Sequence, residues 1–311
     1  MALATPVDLS GNPRRHRREA FFRWLFTAAA VSTVVISVAI IWSLLDKSIE
    51  FLTNIDLGTL WGSGWYPRRG QFDIKTLFVG SVLTSAVAMV IATPLGLTTA
   101  IYLAEYAHPR VRRFLKPIVE ILASIPSIVL GYFAIAWINP EIVQQINPAS
   151  QNFNLAAAGI AIGILITPLI ASVSEDAIRA VPLTLHEASY GLGARKATTV
   201  LRVILPAAIS GIVASLILAI SRAIGETMIV ALAAGSGGSA TYTTDIFEQG
   251  QTMTAAMAAL VTGSDNVAVA SGRNAGQAPN SLYFLGLLLF VMTLLLNMVG
   301  NAFVRRVQNR Y

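Results

Sequence analysis

Apolar and polar positions alternate along this chain in long blocks, not at the period of two that a strand needs. Residues 24–45, 76–104, 155–174 and 280–304 contain no Asp, Glu, Lys or Arg. Each run is about as long as the roughly 20 residues a helix needs to cross a bilayer. Two further segments qualify once an internal charge is tolerated: residues 118–138, which hold Glu120, and 203–234, which hold Arg222 and Glu226. The pattern predicts six transmembrane helices near 21–45, 76–104, 118–138, 155–174, 203–234 and 281–304. Unbroken apolar runs lack the alternation of a barrel strand, so the expected class is an all-α integral membrane protein.

Composition agrees. Of the 311 residues 55% are hydrophobic and only 12% charged, about half the charged share of an ordinary soluble domain. The net charge of +6 is not gathered on one domain, which argues against nucleic acid as a partner. Basic residues instead flank the apolar runs. Sixteen lie on one side (among them Arg14 to Arg18, Arg110 to Lys116, Arg179 to Arg202 and Arg305 to Arg310) and five on the other. This asymmetry places both termini in the cytoplasm and makes the chain a multi-pass protein of the cell (inner) membrane. The resulting plan has a basic tail at 1–20, a first helix at 21–45 and an outer loop at 46–75. A five-helix core at 76–304 follows, with a cytoplasmic loop at 180–202, an outer loop at 235–280 and a tail at 305–311.

Other chemistries fall away. There is no cysteine, hence no disulfide and no thiolate metal site. His16, His108 and His186 stand in separate segments without metal-ligand spacing. The "RRHRR" start resembles a signal peptide, but its apolar run is too long and no small-x-small site follows it. In the outer loop, Trp61, Trp65 and Tyr66 suit the membrane–water interface. Residues 139–154 read as a short polar turn, and "TMTAAMAALV" at 252–261 as a short helix at the outer mouth.

The cytoplasmic loop "AVPLTLHEASYGLGARKATTVLRVILPAAISG" (180–211) is the most informative stretch. Pro182 suits a helix start, Thr184 with Glu187 reads as a capping box, and "GLG" interrupts before a second helix enters the membrane. Glu187, Ala188 and Ser189, then Gly193, then Leu205 and Pro206 resemble the EAA signature of ABC-importer permeases. The spacing is EAA, three residues, Gly, nine residues, I-x-L-P, with Ser189 for Ala and Val203 for Ile. "TPLGLTTAIYLAEY" (93–106), "IPSIVLG" (125–131) and "SRAIGETM" (221–228) extend the likeness to the phosphate-specific permeases. "GETM" is closer to the PstC-type than to the PstA-type subunit. The resemblance implies a type I importer fold and a loop that couples to an ATPase. It also implies a second, PstA-like permease, two PstB-like ATPases and a PstS-like extracytoplasmic phosphate-binding protein. No Gly-Lys pair exists, so no Walker loop does either. This chain is expected to bind no cofactor, with ATP and Mg at the partner ATPases.

Arg222 and Glu226 are the charges that an apolar span least tolerates, each costing roughly 2.5–3.5 kcal/mol at a helix centre. On one continuous helix they would share a face and could pair. As a substrate pathway, Arg222 supplies a fork of donors that suits phosphate oxygens. Glu226 tempers the attraction, and Ser221 and Thr227 add neutral hydroxyls. A structural brace is the other reading of the pair. An importer for another oxyanion or solute, and a proton-coupled secondary transporter with Glu226 as proton site, are the rival functions.

Overall fold

The computed structural model describes residues 13–62, 64–235, 240–263, 274 and 276–308. Ten helices carry the described chain: α1 (Pro13–Asn54), α2 (Ile74–Tyr106), α3 (Pro109–Leu122), α4 (Ser127–Ile146), α5 (Leu155–Arg179), α6 (Leu183–Gly191), α7 (Lys196–Ile224), α8 (Met228–Ala233), α9 (Met253–Val261) and α10 (Ala278–Gln308). Five of these, α1, α2, α5, α7 and α10, are each long and apolar enough to span a membrane. The pair α3 and α4, bent by 83°, makes a sixth if counted as one span.

The centre of the fold is α5, whose buried face runs from Leu155 to Ile178. It is rich in Ala and Gly, and small side chains let backbones approach where lipid supplies no hydrophobic drive between helices. A Cβ on Gly159 would strike Val87 and the Thr84 carbonyl of α2, and one on Gly96 of α2 would strike Ile170. The α2–α5 seam therefore packs backbone against backbone. Helix α7 closes the other side of α5, joined by a buried Ser174–Ser215 hydroxyl contact at 2.7 Å. By contrast the apolar span of α1 is unburied within this chain.

Several sequence expectations are corrected. The third helix is not continuous over 118–138. Residues 109–122 form the separate α3, and the turn at Ile125-Pro126 redirects the chain, because the residue before a proline disfavours helix. The supposed polar turn 139–154 is helical as far as Ile146. There Ala134–Val143 widens into π turns that accommodate Pro140. Asn139 and Asn154 then knit the corner: Asn154 Nδ2 donates to Asn139 Oδ1 (2.7 Å), while Asn154 Oδ1 accepts from Ala157 N (2.7 Å) and caps α5.

The segments between α1 and α2 and after α8 form a small sheet that periodicity did not predict: β1 (Gly64–Tyr66), β2 (Gln71–Phe72) and β3 (Ala240–Thr241) in the order β2-β1-β3, antiparallel. Trp61 is 74% exposed, whereas Trp65 is buried. Trp65 packs edge-on against Phe72, which meets Phe51 of α1, and Phe51 meets Phe284 of α10. These rings lock the C-terminal end of α1 to α10. The short outer helix expected at 252–261 is α9. Of the outer loop 235–280, residues 236–239, 264–273 and 275 lie outside the described residues, as do 1–12 and 309–311 of the two tails.

Candidate functional site

Two places combine polar chemistry with an apolar frame. The first is the end of α7. The helix stops at Ile224, so the expected single helix over 203–234 is broken at Gly225-Glu226-Thr227 and resumes as α8. Gly and Thr are weak helix formers, and a break here frees backbone groups that need partners. Thr254 of α9 supplies one, its Oγ1 donating to the Glu226 carbonyl at 2.8 Å. The Glu226 carboxylate turns toward α8 and accepts from Ile229 N at 3.5 Å.

The break separates the two charges. No ion pair joins Arg222 to Glu226 among the described residues, because Arg222 lies on the last turn of α7 and Glu226 outside it. Arg222 is exposed at the surface of this chain and Glu226 is half-buried. Ser221 Oγ is buried without a partner, whereas Thr227 Oγ1 donates to the Gly225 carbonyl at 3.3 Å. The four predicted residues thus gather at one break. Thr254 was missed, since nothing in its own segment points at residue 226; the Gly-Glu-Thr run inside an apolar block was the available signal.

The second place is α6 with its surroundings. Pro182 caps this helix without a side-chain bond, so Thr184 and Glu187 do not form the expected box; the helix starts at Leu183, two residues too early for Thr184 to be its cap. Glu187 and Ala188 are exposed, and Leu183 (73%) and Leu192 (90%) project fully. Gly193 adopts φ +78 and a Cβ there would meet nothing within 4 Å, so its need for glycine is conformational, not steric. The turn is closed by Gly193 N to Tyr190 O (2.9 Å) and Ala194 N to Ser189 O (3.1 Å). Ser189, the departure from Ala, has a structural use: its buried hydroxyl meets Thr199 Oγ1 at 2.8 Å and pins α6 to the first turn of α7. Leu205 and Pro206 follow a π turn at Val200–Ile204, in which Leu205 N reaches Val200 O.

Ionic contacts frame α6. His186 Nε2 lies 3.2 Å from Glu105 Oε1 at the end of α2, and Lys196 Nζ stands 4.8 Å from the centre of the Tyr106 ring. Beside them, the wholly buried Glu175 of α5 receives Arg112 Nε at 2.5 Å and Lys116 Nζ at 3.2 Å, both from α3. Lys116 also reaches Asp176 at 3.1 Å. Burial pulls the Lys116 pKa down, but hydrogen bonds to Asp176 and Glu175 outweigh it and raise the value above the ordinary one. A cavity of about 810 Å³ lies between α2, α3, α5 and α6, lined by Arg113, Arg179, His186, Glu105 and Glu120 among others.

Residues 92–311, the stretch that contains both places, match the family of binding-protein-dependent transport system inner membrane components. This chain belongs to that family. It is 29% identical over 310 residues to the phosphate transport system permease protein PstC of Mesorhizobium japonicum, covering 94% of this chain and 91% of the relative. Phosphate transport system permease protein PstA 1 of Mycobacterium tuberculosis is 32% identical over 223 residues, covering 71% of this chain and 70% of the relative. Among solved structures, a bacterial ABC transporter involved in the import of the acidic polysaccharide alginate aligns over 94% of this chain and 99% of its own, with TM-score 0.64 and 15% identity. The MetNI methionine ABC transporter aligns over 75% and 93%, with TM-score 0.52 and 22% identity. These likenesses establish the fold as that of the type I ABC importer permeases.

Proposed function

We propose that this chain is the PstC-type permease subunit of an ATP-driven importer of inorganic phosphate. In this reading it crosses the inner membrane six times with both termini in the cytoplasm, and forms half of the translocation path. The observation that carries the coupling role is α6, a short helix with bare Leu183 and Leu192 ends, a left-handed Gly193, and ties to both α2 and α7. Such an element transmits force from a docked partner and is of no use to a carrier without an ATPase. The full-length extent of the PstC likeness, against the shorter PstA one, supports the PstC-type assignment.

The partners follow from that role: a PstA-like permease across the path, two PstB-like ATPases holding ATP and Mg below α6, and a PstS-like phosphate-binding protein outside. Arg222, exposed on its own chain, then faces the path formed with the second permease and offers paired N–H donors to a phosphate oxyanion. Ser221 contributes a hydroxyl without another partner. Glu226 keeps the site from holding the ion too tightly, which transport requires. Purification of the intact assembly followed by reconstitution tests the reading. Phosphate uptake that needs ATP, the second permease and the binding protein supports it; uptake by this chain alone, driven by a proton gradient, would overturn it.

A further inference from the structure

Helix α3 is unlike the other helices of the core. It lies 83° from α4, so if α4 runs near the bilayer normal, α3 runs along the membrane plane. Its two faces are sharply different. Val111, Phe114, Ile118 and Ile121 recur at helical spacing on one side and are exposed, Phe114 by 70% and Ile121 by 64%. Arg112 and Lys116 turn the other way into Glu175 and Asp176. Arg110 flanks the apolar side and Arg113 stands at the mouth of the cavity; both are exposed and have no acidic partner among the described residues.

From this arrangement we infer that α3 is a membrane-surface helix that binds anionic lipid: Phe114 and Ile121 enter the acyl boundary of the inner leaflet, and Arg110 and Arg113 hold lipid phosphates. A helix in the membrane plane keeps all its residues at one depth, so an apolar stripe along its whole length faces a surface of lipid, not a crossing helix. Two exposed guanidiniums, Arg110 beside that stripe and Arg113 at the cavity mouth, complement anionic headgroups at the same depth. Through Glu175 the bound lipid is tied to the cytoplasmic end of α5, and through the shared cavity to α6. The inference rests on the membrane placement of the proposed function but not on phosphate as substrate.

The chain has no cysteine, so nitroxide labels at single Cys replacements report without background. In the complete complex, in nanodiscs of phosphatidylcholine with phosphatidylglycerol, Phe114→Cys and Ile121→Cys labels should be relaxed by oxygen and shielded from a water-soluble nickel chelate. Relaxation by nickel would place α3 in water, and shielding from both agents would place it against another protein chain; either result overturns the inference. Spin-labelled phosphatidylglycerol should associate with the complex in preference to phosphatidylcholine, and Arg110→Gln with Arg113→Gln should cut that preference by about fivefold per arginine. An unchanged preference would refute the headgroup assignment. Neither readout depends on uptake, so a failure of the transport reading would leave them standing and be recognised separately.

Discussion

His186 of α6 and Glu105 of α2 meet at 3.2 Å across a joint between a short surface helix and a long buried one. Glu105 lies in the π turn that ends α2, next to Tyr106, over which Lys196 stands. The end of α2 thus meets α6 through Glu105 and the start of α7 through the adjacent Tyr106. Glu105→Ala should leave the chain inserted and assembled while lowering phosphate uptake per ATP hydrolysed several-fold; Glu105→Gln, which keeps an acceptor oxygen, should retain most of it. Equal stoichiometry in all three proteins would show the joint to be idle.

The broken helix at 225–227 changes what neutralising charges should do. Had Arg222 and Glu226 been a buried pair, removing both would have repaired the damage from removing one. Without an ion pair, we predict that Arg222→Gln with Glu226→Gln is no better than Arg222→Gln alone. A double-mutant cycle on assembly should give a coupling within about 0.5 kcal/mol of zero, with uptake lost in both variants. Restoration of uptake by the double change would count against Arg222 as a phosphate ligand.

Gly193 allows a backbone test free of packing effects, because a Cβ there meets no neighbour. Gly193→Val should cost the turn about 1–3 kcal/mol through its positive φ, and Gly193→Ala about 1–2 kcal/mol. Substrate-stimulated ATP hydrolysis should fall in that order while membrane insertion is unaffected. Normal coupling in the valine variant would reduce α6 to a connector.

Sidedness can be measured with an impermeant thiol reagent on single-cysteine variants. Ser48 is a poor site, being 1% exposed with its hydroxyl bonded to Leu44 O, so the outer probe belongs at Trp61, which is 74% exposed. Trp61→Cys should label in intact cells and Ala197→Cys only after the membrane is opened. Labelling of position 197 from outside would reverse the orientation.

The sequence was legible where one physical rule acted alone. Runs free of charge marked the spans because a bilayer penalises ions regardless of fold, and the EAA spacing marked α6 because a surface helix and its turn are specified locally. It was less legible where distant partners decide. Nothing near Glu226 announces that Thr254 will hold its carbonyl, and nothing in 109–138 announces that Arg112 and Lys116 of α3 will meet Glu175. Trp65 looked interfacial because aromatic residues of outer loops often are; its burial depends on Phe51 and Phe72, remote or invisible to a periodicity argument.

Helix α1 is one unbroken rod of 42 residues, about 63 Å at 1.5 Å per residue. The hydrocarbon layer is only about 30 Å thick, so both ends of the rod stand in water. A rod of this kind is a lever with its fulcrum in the lipid: a tilt of about 6° carries each end roughly 3 Å in opposite directions. Its outer end is clamped by the rings of Phe51, Phe72 and Phe284, while its apolar middle is gripped by little of its own chain. In the proposed orientation, a load on the small sheet would tilt this rod and displace Arg18 and Arg23 at its opposite end.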